Sequence, residues 1–87
     1  MKRKMLYENL ERYREKIAEL EEAMKEGKHK LVVKLYHNCE DLENTCLAEM
    51  EKLREKESKE KAREYALQLK KLQKYFTKIV NKYFERL

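Results

Sequence analysis

The sequence predicts an all-α protein, an antiparallel up-down-up bundle of three helices. Three observations carry that reading. The 87 residues include no proline and one glycine, whereas sheet proteins need turn residues every few positions. The chain is 45% charged and 41% hydrophobic, and its abundant Glu, Lys, Leu and Arg are good helix formers. Apolar residues recur at helical spacing in three separate segments. A chain of this length makes one domain, residues 1–87, with a thin core and little room for a deep, dry active site.

The first helix is expected over about residues 3–26. Leu6, Leu10, Tyr13, Ile17, Leu20 and Met24 step by four, three, four, three and four, which places them on one stripe. Gly27 follows as the only glycine. A glycine just past a helix end takes the left-handed conformation that other residues resist, so Gly27-Lys28-His29 reads as a tight connection. The second helix is expected over about 30–54. Its stripe runs Val32, Leu35, Tyr36, Cys39, Leu42 and Cys46, then rotates to Leu47, Met50 and Leu53.

Residues 54–61 have no apolar member. They either turn in solvent, with Ser58 capping a new helix and Glu60 in its first turn, or continue as exposed helix. The second alternative gives a short helix folded on one long helix, an elongated dimeric coiled coil. The third helix is expected over about 59–86. Ala62, Tyr65, Leu69, Leu72, Phe76, Ile79 and Tyr83 step by three and four throughout, and Val80, Phe84 and Leu87 widen the stripe. Each helix alone is marginal in water, so short connections and buried stripes point to the bundle.

The net charge of +5 is unevenly placed. Residues 1–26 are neutral, whereas residues 62–87 set Arg63, Lys70, Lys71, Lys74, Lys78, Lys82 and Arg86 against Glu64 and Glu85. This basic ridge is either a solvated face that keeps the bundle soluble or a surface for an acidic partner, an anionic membrane or nucleic acid. There is no helix-turn-helix signature and no zinc-finger spacing.

The chemistry of an enzyme is missing from the pattern. No glycine-rich phosphate loop, paired-histidine zinc motif or EF-hand spacing occurs. His37 and Asp41 lie one turn apart, but Cys39 points about 160° away from His37 on a helix, so the three do not converge on a metal or form a nucleophile–base pair. Cys39 and Cys46 are separated by roughly 10 Å along a helix axis, too far for a disulfide, and read as small buried hydrophobes of a reducing cytoplasm. No run approaches the roughly 18–20 apolar residues of a membrane span. The basic start, Met1 to Tyr7, has no apolar core behind it and does not read as a secretory signal. The expectation is a non-enzymatic protein without metal, cofactor or small-molecule substrate.

Residues 27–36, Gly-Lys-His-Lys-Leu-Val-Val-Lys-Leu-Tyr, resemble the turn and second-helix start of microtubule-interacting and trafficking (MIT) domains. Residues 65–76, Tyr-Ala-Leu-Gln-Leu-Lys-Lys-Leu-Gln-Lys-Tyr-Phe, resemble that family's third-helix signature, with Gln68-Leu69-Lys70 in place of Arg-Ala-Glu. The resemblance implies a three-helix bundle with a groove for a partner's helical tail, Leu69 and Leu72 on its floor, and Lys70 reversing the rim charge toward an acidic tail. Ala23-Met24-Lys25-Glu26-Gly27 and Leu35-Tyr36 also look like FliT-type flagellar export chaperones, which bind a client helix.

Both resemblances imply an adaptor or chaperone-like interaction module. Its contact residues are expected to be Leu69, Leu72, Phe76, Ile79 and Tyr83, with Lys70, Lys74 and Lys78 setting charge preference. The rival readings are a self-assembling homodimeric coiled coil and a basic protein that binds nucleic acid or an anionic membrane surface.

Overall fold

The computed structural model describes residues 2–86, with side chains from residue 7 onward. Three helices follow in order: α1 (Lys2–Lys25), α2 (His29–Lys56) and α3 (Lys59–Glu85). They pack as an up-down-up bundle of 44 × 23 × 14 Å with a Cα radius of gyration of 14.2 Å. The α1–α2 hairpin is the most extensive interface, and the parallel pair α1–α3 the least.

Both connections are set locally. Gly27 has φ +71°. Around it the Gly27 amide donates to the Met24 carbonyl (3.2 Å) and the Lys28 amide to the Ala23 carbonyl (3.1 Å). These are the two bonds of a Schellman end, which satisfies carbonyls that the last turn of α1 leaves open. At the second connection α2 stops at Lys56 and α3 starts at Lys59. Ser58 is extended, and its hydroxyl accepts from the Lys61 amide at 3.1 Å. The chain therefore turns at Glu57-Ser58. The charged run is too soluble to be drawn into the core, and the serine cap begins a new helix.

The buried core is built from the predicted stripes. α1 contributes Leu10, Tyr13, Ile17, Leu20 and Ala23; α2 contributes Val32, Leu35, Cys39, Cys46 and Leu53; α3 contributes Ala62, Tyr65, Leu69, Phe76 and Ile79. Leu6 lies outside the described side chains and Leu87 outside the described residues. No charged side chain is buried among the described residues. The Arg and Lys ion pairs found there join residues two to four apart in sequence, such as Arg12–Glu8 and Arg54–Glu51. Exposed pairs of that kind contribute a few tenths of a kcal/mol each, so burial of apolar surface holds the helices together.

Between helices, polar contacts fix register. Asn9 and Tyr65 both donate to the Glu49 carboxylate, Tyr65 at 3.2 Å. Gln73 donates to Glu43 at 2.7 Å. Tyr75 donates to Glu21, and His29 and Tyr83 share a hydrogen bond where the α1–α2 turn meets the end of α3.

Candidate functional site

In a three-helix bundle the third helix lies in the trough between the first two, so its apolar stripe is already covered. The expected partner-binding stripe divides accordingly. Leu69, expected on a groove floor, and Phe76 and Ile79, expected as contact residues, are buried in the core, where α3 packs against α1 and α2. Leu72 is half-buried and lines a groove between α1 and α3. Tyr83 is half-buried against the α1–α2 turn, where it holds His29. Lys70, Lys74 and Lys78 are exposed on the opposite flank of α3. They do not share a rim with Leu72.

A groove runs between α1 and α3. Its open end has a volume of about 830 Å³ and is lined by Tyr7, Leu10, Glu11 and Arg14 of α1 and by Gln68, Lys71 and Leu72 of α3, with Glu8 at the edge. The groove is open to solvent. Further along, the Tyr75–Glu21 bond bridges the two helices. That bond, reinforced by burial, pushes the Tyr75 hydroxyl up to about 12, because a phenolate there would face the carboxylate. Beyond the bridge a second hollow of about 300 Å³ lies among Glu21, Met24, Lys25, His29, Ile79, Lys82, Tyr83 and Arg86. From Tyr7 to Arg14 the open end of the groove runs roughly 10 Å at 1.5 Å per residue.

The charge on its walls is mixed near Tyr7 and basic near Lys25. Glu8 is held by Arg12, and Arg14 holds Glu11, whose carboxyl sits below its ordinary value through that bond. Lys71, Lys82 and Arg86 have no ion-pair partner among the described residues.

A second surface lies between the start of α2 and the end of α3. Met24, Val32, Val33, Tyr36, Val80, Tyr83 and Phe84, with His29, line an apolar hollow of about 410 Å³. Val33 is 57% exposed and Phe84 61% exposed.

Among the described residues no group of three His, Cys, Asp or Glu side chains comes together to hold a metal, and no helix is long and apolar enough to cross a membrane. Cys39 and Cys46 are free, buried thiols. Burial pushes Cys39 up to about 12 and raises Cys46 as well, which holds both as protonated, unreactive groups at neutral pH.

Sequence periodicity placed Leu72 at a groove but did not show that α1 forms the other wall, because Tyr7, Glu11, Arg14, Gln68 and Lys71 flank the stripes. Gln68 and Tyr75, four before and three after the stripe residue Leu72, were the available signal. No family model matches the chain, and no curated protein or solved structure matches it either.

Proposed function

We propose that the protein is a non-enzymatic interaction module that receives a partner's helical segment in the groove between α1 and α3. The observation that carries this reading is the groove itself, open along two parallel helices with Leu10, Leu72 and Tyr7 on its floor. Helix-in-groove recognition needs such a trough, with apolar anchors spaced by three and four residues on the incoming helix. A groove of roughly 10 Å along the axis takes about two turns of a partner helix. Lys71, Lys82 and Arg86 along α3 favour a partner with acidic residues on that edge. The resemblance to MIT domains and to flagellar export chaperones supports the same class of activity, adaptor or chaperone-like. The buried, protonated thiols suit a reducing cytoplasm.

The test is selection of binders from a display library of amphipathic helices, followed by affinity measurement on variants. Lys71→Glu and Tyr7→Ala are surface changes expected to weaken selected acidic helices by about tenfold, in line with the loss of one good contact. Selected helices whose affinity ignores both changes would remove the groove from the account.

A further inference from the structure

The face formed by α2 and α3 carries a charge pattern that the chain itself does not neutralise. On α3, Lys70, Lys74, Thr77, Asn81 and Phe84 step by four, three, four and three, all exposed, so they form one stripe. On α2, Val33, Tyr36, Glu40, Glu43 and Leu47 step by three, four, three and four. The helices are antiparallel, and three contacts set their levels: Gln73 with Glu43, Phe76 with Tyr36 at 5.5 Å between rings, and Tyr83 with His29. Lys74 therefore stands level with Glu40 and Glu43, and Phe84 shares a hollow with Val33. No lysine or arginine pairs with Glu40 or Glu43 among the described residues, and Lys70 and Lys74 pair with no carboxylate. Among the described residues the one ion-pair partner of Glu40 is His37.

We propose that this α2–α3 face is covered by a second copy of the chain, related by a two-fold axis parallel to the helices. Such an axis sets α3 of each protomer against α2 of its partner at the same level. Lys70 and Lys74 then meet the acidic row of Glu40 and Glu43 twice over. The Val33 and Phe84 patches close on each other at one end, and each helix faces an antiparallel neighbour. The alternative two-fold, perpendicular to the helices, lays acidic row on acidic row and basic row on basic row. Like charges disfavour it, so the charge pattern selects one geometry as well as permitting a dimer. The open end of the α1–α3 groove, at Tyr7 to Arg14 and Gln68 to Leu72, is on another face and stays open in both protomers. The inference is independent of the function proposed for that groove.

Sedimentation velocity on the full chain tests it. At about 100 µM, where an interface of standard size is assembled, the expected mass is twice 10.8 kDa. Phe84→Asp and Val33→Asp change side chains outside the core and are expected to give folded monomers, checked by circular dichroism. Lys74→Glu and Glu40→Lys are each expected to weaken the dimer by roughly tenfold or more, since each turns two attractions into repulsions. Mixing those two variants restores association, because both contacts between positions 74 and 40 in the mixed dimer are again between opposite signs. A monomeric wild type overturns the proposal. So does a dimer indifferent to Phe84→Asp, or a mixture of the two charge variants that fails to recover.

Discussion

Removing one oxygen atom from the core is expected to stabilise this protein. Tyr13 is fully buried, and its hydroxyl has no hydrogen-bond partner in the protein. Its ring packs edge-on against Phe76 with centroids 6.1 Å apart. Burial, followed by the field of Glu43, raises its pKa well above the ordinary tyrosine value, so it stays neutral and still lacks a partner. An unsatisfied buried hydroxyl costs about 1–3 kcal/mol. Tyr13→Phe keeps the ring and its contacts, and leaves a void smaller than a methyl group, which offsets part of the gain. The net expectation is about 1 kcal/mol of added stability. An 87-residue chain has an unfolding entropy near 180 cal/mol/K, so this corresponds to a rise in melting temperature of about 5 °C. Tyr65 supplies the control. It is equally buried, but its hydroxyl donates to Glu49, and Tyr65→Phe is expected to cost about 1 kcal/mol. Scanning calorimetry on the two variants gives opposite signs if the reasoning holds. A Tyr13→Phe protein that melts several degrees lower would refute it, because the hydroxyl would then be hydrogen-bonded in solution.

Gly27→Ala meets no steric obstacle, since nothing lies within 4 Å of the added Cβ, yet it must adopt φ +71°; a loss of about 1 kcal/mol by chemical denaturation is expected. Ser58→Ala removes the cap of α3 and should cost about 1 kcal/mol in the same assay. Leu69→Asp places a carboxylate at a 1% exposed core position, so loss of helical circular dichroism is predicted, a destabilisation of about 4 kcal/mol or more. Alkali should destabilise the fold. Cys39 titrates near 9 when unfolded and at about 12 when folded, so above pH 9 the unfolded state binds fewer protons and stability falls through pH 12. Tyr65, also raised by burial, adds to the decline above pH 10, and Cys39→Val should flatten the profile between pH 9 and 12.

Much of the fold was legible in the sequence because helical periodicity and burial are the same fact seen twice. Every stripe residue from Leu10 to Leu20 is buried, as are Cys39, Cys46 and Tyr65. The Schellman glycine and the Ser58 cap were also visible, since each does its work within five residues of itself. The surfaces were harder. Treating Leu69, Phe76 and Ile79 as free to bind a partner ignored that α3 must bury its own stripe before it can offer anything. The pairing of Asn9 and Tyr65 on Glu49, and the hollow at Val33 and Phe84, depend on register between helices. No spacing within one helix encodes that register. Periodicity locates what faces inward; which flanks remain open follows only from how three helices share a core.

The central claim, that a partner helix lies between α1 and α3, is tested most directly by titrating a display-selected amphipathic helix into isotope-labelled protein and following each backbone amide by NMR. The account predicts shifts concentrated on residues 7–14 of α1 and 68–75 of α3, with the α2 amides of Glu40 and Glu43 unmoved. Shifts confined to α2, or no saturable change with any selected helix, would contradict it.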